Sequence, residues 1–253
     1  MNEQKLPFFV GYLPVPQSLK PFLIIVAVVA VAGAGSLGIV IGATQDDPGP
    51  GAFRYDYGTQ RLTGVVERTP LPILHVTRGT DQVPAGRTIM LSNPGKNGAQ
   101  NREPARTGQL VDVAGIILKR GDINMLQLRG GGNGMRAADG AAEVPMRVDL
   151  GWWKLAGEIC DGKCLAGAMR PGRGLAHKAC ANLCIIGGVP PVFVSTRPVE
   201  GSAFLMIAGP GQSDMPSDLY NYVAQYISVE GQVTRHGDLL VFSVDPATIE
   251  VLP

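Results

Sequence analysis

Cys160, Cys164, Cys180 and Cys184 are the only cysteines of the chain, and they share one short stretch with His177: "CDGKCLAGAMRPGRGLAHKACANLC". Those residue types support three chemistries. His177, Cys180 and Cys184 stand at i, i+3 and i+7, a spacing that lines them along one helix face. With Cys164 from the glycine-rich segment before them, they make a candidate Cys₃His set for zinc, which accepts these ligands tetrahedrally, or for another metal such as copper. An iron–sulfur centre also tolerates a mixed Cys/His shell. The spacing matches neither zinc fingers, ferredoxins nor the C-x-x-C-H of attached haem. The alternative is disulfides among Cys160, Cys164, Cys180 and Cys184, or reactive thiols. Pairs running from Cys160 and Cys164 to Cys180 and Cys184 are easier than Cys180 to Cys184, whose helical separation nears the upper disulfide limit. Disulfides need an oxidising compartment, so the choice depends on location.

Residues 21–43, "PFLIIVAVVAVAGAGSLGIVIGA", carry no charge. At 1.5 Å per residue they cross a hydrocarbon core of about 30 Å, and a backbone in lipid must be helical to satisfy its own hydrogen bonds. The run exceeds the ordinary apolar segment of a cleaved signal peptide. Lys5 and Lys20 precede it, and Asp46 and Asp47 follow. The basic flank stays cytoplasmic. The expected topology is a single pass through a bacterial inner membrane, N-terminus inside and the rest periplasmic.

Within this span Ala30, Ala34, Gly38 and Gly42 recur every fourth residue. Such a stripe lets a second helix approach closely in lipid. The preceding arm, "LPFFVGYLPVPQSLK", is apolar but broken by prolines, which bars a regular helix. The expected partners are therefore the bilayer and other membrane-protein subunits, met through the helix and residues 1–20. A net charge of +1 gives no electrostatic case for nucleic acid.

Beyond the span, the chain reads as mainly β: short β-branched runs divided by turn residues, the pattern of small barrels or sandwiches. An internal repeat sharpens this. "VAGIILKRGDINMLQL" from Val113 matches "VEGQVTRHGDLLVFSV" from Val229 at Val113/Val229, Gly115/Gly231, Gly121/Gly237 and Asp122/Asp238. Each copy reads as strand, tight Gly-Asp turn, strand. Upstream, Leu62 aligns with Leu155, Leu74 with Val192 and Thr88 with Ala203. Two tandem OB-like barrels follow, over 55–130 and 152–253, with 44–54 and 131–151 as linkers. The second copy carries additional residues between its first two strands, and these are the cysteine stretch, 160–186. It is thus a helical insertion into a loop, where function concentrates on rigid scaffolds.

The segment "GEICDGKCLAGAMRPGRGLAHKACANLCIIGGVPPVFV" resembles a motif of a poorly characterised family of exported bacterial OB-like proteins, through Gly157, Glu158, Cys164, His177, Cys180, Ala181, Cys184, Gly188, Pro190 and Pro191. The resemblance covers a small part of the chain. It implies association with membrane redox complexes, and it leaves Cys160 outside the shared set.

"RGGGNG" at 129–134 lacks the G-K-[ST] ending of a phosphate loop and reads as a connection. His75 and His236 stand alone in strands and read as packed residues. Of Trp152 and Trp153, one is expected to pack inward. No Ser/His/Asp, G-x-S-x-G or H-E-x-x-H arrangement is present. The expected function is a non-catalytic accessory subunit covering the periplasmic face of a respiratory or photosynthetic electron-transfer complex. The alternative is a membrane-tethered metal or redox protein acting through its cysteines.

Overall fold

The computed structural model describes residues 15–44, 49–102 and 105–253. Most of the apolar arm at 1–20 lies outside them. They divide into two units. The first holds one helix, α1 (Lys20–Thr44), and the second, Gly49–Pro253, holds everything else. The Lys20–Gly42 stretch is long and apolar enough to cross a membrane, and none of it is buried by the rest of the chain.

The second unit is built from β1 (Ala52–Phe53), β2 (Gln60–Arg68), β3 (Pro72–Arg78), β4 (Thr88–Asn93), β5 (Asn97–Gly98), β6 (Leu110–Arg120), β7 (Ile123–Leu128), β8 (Met135–Ala137), β9 (Val148–Asp161), helix α2 (Lys178–Ile186), β10 (Pro191–Val199), β11 (Ser202–Ala208), β12 (Tyr226–His236) and β13 (Leu239–Val251). β9, β10, β11, β13 and β12 close a five-stranded barrel, with β11 and β13 parallel. In the first half, β2 pairs with β3, β3 with β4, β4 in parallel with β7, β7 with β6, and β6 with β2. β9 starts at Val148, inside the stretch expected to be a linker.

The repeat read in the sequence is a repeat of register. Gly115 faces Gln60 and Val113 faces Leu62 in the first ring; Gly231 faces Trp153 and Val229 faces Leu155 in the second. Gly115 and Gly231 are required by close approach. A Cβ on either would collide with a carbonyl oxygen of the neighbouring strand, that of Gln127 or Ser243. The turns Gly121–Asp122 and Gly237–Asp238 have glycine at positive φ in the first central position, as a two-residue hairpin demands. The pairings of β3 and β10 correct two alignments, Leu74 with Val192 and Thr88 with Ala203. Val66 faces Leu74, and its counterpart Ile159 faces Phe193. Leu74 therefore corresponds to Phe193 rather than Val192. The same registers match Thr88 with Phe204, because Val194 faces Phe204 as His75 faces Thr88. A one-residue slip matters because it exchanges the two faces of a strand.

That exchange of faces explains how the rings meet. Leu74 and Phe193 point into their own cores, while Ile73 and Val192, one residue earlier, point outward. Both outward residues are apolar. They join Met90, Met125, Phe204, Met206 and Val241 in a third apolar cluster between the rings. Each fully buried side chain of this size contributes about 1.5–3 kcal/mol. The cysteine stretch contributes Cys160, Cys164, Leu165, Ala166 and Cys184 to the same cluster. It is therefore an insertion pressed against the first ring. The contact is polar as well: the Gly98 N–H donates to the Gly187 carbonyl at 2.9 Å, and Lys163 donates to the carbonyls of Asn93 and Gly95 at 2.7 and 2.6 Å.

Candidate metal centre

The site begins where β9 ends. Asp161 is fully buried, and its Oδ1 accepts the Cys164 N–H at 2.8 Å. This fixes the single wide turn over Cys164–Ala168 and aims Cys164 inward. The other oxygen, Oδ2, lies 3.0 Å from His177 Nε2. His177 stands at the start of α2, with Cys180 and Cys184 one and two turns along. Gly187 and Gly188, the latter at φ +85°, end the helix and turn the chain into β10.

The sulfurs of Cys164, Cys180 and Cys184 lie within 4.8 Å of one another, a group able to hold a metal ion. Asp161, Cys164 and His177 form a second such group. The expected Cys₃His set is thus present as two overlapping groups that share Cys164. His177 belongs with Asp161 and not with Cys180 or Cys184. All four cysteines are free, with no disulfide among them in the structure, and the thiols of three of them converge. The fourth, Cys160, donates to Glu158 Oε1 at 3.3 Å.

The first ring supplies a residue that sequence reasoning missed. Lys96 Nζ donates to Cys180 Sγ at 2.7 Å and lies 4.0 Å from Cys184 Sγ. Its position in the β4–β5 turn carries no local signal of such a role. A hydrogen bond from Cys164 lowers the Cys184 pKa, and the Lys96 charge acts in the same direction; the same hydrogen bond raises Cys164. Cys184 is thus the first of this pair to ionise. Contact with Cys180 raises the pKa of Lys96 and keeps its ammonium charged. Burial pushes the Cys160 thiol well up, with Glu158 adding to it, so Cys160 is the inert member.

The two histidines read as isolated are brought together by Glu67, which the sequence reading did not single out. Glu67 is fully buried. It accepts from His75 Nε2 at 2.7 Å, from Arg147 Nε at 2.7 Å and from His236 Nδ1 at 3.0 Å. Of the tryptophans, Trp153 packs against the second core and Trp152 is exposed. Ala30, Ala34, Gly38 and Gly42 lie on the exposed surface of α1, with open space around Gly38 and Gly42.

No protein-family model, curated protein or solved structure matches the chain.

Proposed function

We propose that this is a membrane-tethered metal-binding protein, in which two OB-like barrels clamp a thiolate site formed by Cys164, Cys180 and Cys184. The observation that carries the reading is the convergence of these three free sulfurs beside a lysine from the other barrel. A neighbouring cation favours the thiolate, and thiolates are metal ligands. The OB-like assignment rests on the strand circuit, first–second–third–fifth–fourth–first in both rings with the third and fifth parallel. α1 is the tether, and its basic N-terminal flank favours barrels on the periplasmic side of a bacterial inner membrane. Metal analysis of the full chain purified with its membrane tests the reading. One metal per chain, lost in Cys184→Ser and kept in Cys160→Ser, is expected. A metal-free protein with normal folding contradicts it.

A second reading has its own observation. The exposed small-residue face of α1 at Ala30, Ala34, Gly38 and Gly42 suits a partner helix. It favours a non-catalytic accessory subunit of a respiratory or photosynthetic electron-transfer complex, covering its periplasmic face. The motif resemblance points the same way. Purification from native membranes in mild detergent should recover the chain with other subunits; a lone monomer contradicts this reading.

A further inference from the structure

We infer, resting on the metal-binding reading, that the Cys164–Cys180–Cys184 site takes a soft monovalent cation, Cu(I), through three sulfurs and no nitrogen, in preference to zinc.

The donor count is the first reason. Structural zinc is almost always closed by four protein ligands. Among the described residues, only three thiols converge here. His177 has its Nε2 on the Asp161 carboxylate, 3.0 Å away, and groups with Cys164 alone among the three cysteines. Cys160 is turned to Glu158. An all-thiolate shell suits Cu(I), for which sulfur is the preferred donor.

The neighbour of the sulfurs is the second reason. Lys96 Nζ stands 2.7 Å from Cys180 Sγ and 4.0 Å from Cys184 Sγ. A protonated amine is a donor only, so it cannot complete a tetrahedron. Its charge instead offsets the excess negative charge of three thiolates around one monovalent ion. Lys163, adjacent to Cys164 in the chain, is a second nearby cation, its Nζ held by the carbonyls of Asn93 and Gly95 at 2.7 and 2.6 Å. Three thiolates and one monovalent ion leave two negative charges, which these two lysines balance. The Asp161 carboxylate is held by the Cys164 N–H and by His177.

Geometry and access agree. Metal–sulfur bonds of about 2.3 Å in a trigonal plane place the sulfurs about 4 Å apart, inside the 4.8 Å within which the three sulfurs lie. Cys164 and Cys184 are 5% and 2% exposed, so the ion would sit out of water. Cys180 is the partly exposed sulfur through which it enters.

The test titrates the reduced full chain, in detergent and without oxygen, with Cu(I) against a chromogenic Cu(I) chelator, and in parallel with Zn²⁺. One Cu(I) per chain, held against excess zinc, is expected. Cys180→Ser and Cys184→Ser should each weaken binding by at least ~100-fold, because each removes one of only three donors. His177→Asn should stay within about threefold, since the ring lies outside the group of three sulfurs. The wild-type His177 ring ¹⁵N shifts give the same answer without a variant: they should not move on loading. Zinc that copper cannot displace, or a metal-ligation shift at His177, overturns the three-sulfur copper assignment and leaves the metal-binding reading standing. Binding of neither metal overturns both.

Discussion

Glu67 of the first ring and His236 of the second, both fully buried, share a hydrogen bond of 3.0 Å across the interface between the rings. A network of buried side chains surrounds them. Gln212 Oε1 accepts from Arg147 and from the Thr69 hydroxyl, so its amide N–H₂ faces His236 Nε2 at 3.2 Å. The Thr234 hydroxyl lies 2.9 Å from the same ring nitrogen, and Nδ1 faces Glu67. His75 and Arg147 complete the shell of the carboxylate.

Removing that carboxylate leaves three donors pointing at nothing. Glu67→Ala is expected to cost about 3–5 kcal/mol, as when one partner of a buried ion pair is deleted. Arg147→Ala should cost about 1 kcal/mol or less, because the arginine is half exposed. Urea midpoints of the two variants, with unchanged slopes, check the order.

Acid should attack the same point. Burial disfavours the Glu67 carboxylate, but hydrogen bonds from His236, His75 and Arg147 outweigh it and hold its pKa well below the usual 4.5. The folded value is the lower one, so its contribution is complete above the unfolded value and is lost as pH falls below about 4.5. Melting temperature measured from pH 7 to pH 2 should fall less steeply in Glu67→Gln than in the wild type. Parallel curves would contradict this.

The matched glycines should respond alike. Gly115→Ala and Gly231→Ala each drive a Cβ into a strand carbonyl, and each is expected to destabilise by about 1–3 kcal/mol. Gly130→Ala, with open space around it and φ −64°, should stay within about 0.5 kcal/mol. Thermal unfolding of the three variants separates them.

Thiol reactivity should follow exposure and charge. In the metal-free protein Cys180 is expected to alkylate first and Cys160 last, by mass spectrometry of iodoacetamide-treated chain. Lys96→Met should slow the labelling of Cys180 and Cys184, because it removes the adjacent ammonium. An unchanged rate would contradict the role given to Lys96.

What the sequence revealed was local. The Gly-Asp turns and the alternation after them are set by neighbouring residues, so β6–β7 and β12–β13 were legible as copies. The Leu74 alignment failed by one residue because both faces of β3 and β10 are apolar, and alternation cannot then tell inside from outside. Spacing alone placed His177, Cys180 and Cys184 on one helix. It could not show that Asp161, at a strand end, would draw His177 away from the other sulfurs. Glu67 meets His236, and Lys96 meets Cys180, only because one ring packs on the other. Contacts of that range leave no periodic trace.

Whether Cys164, Cys180 and Cys184 form one metal centre is read out by X-ray absorption at the edge of the metal bound to the full chain. Three sulfur scatterers at about 2.3 Å and no imidazole shell are expected. A spectrum of nitrogen and oxygen neighbours with fewer than three sulfurs would contradict a single centre.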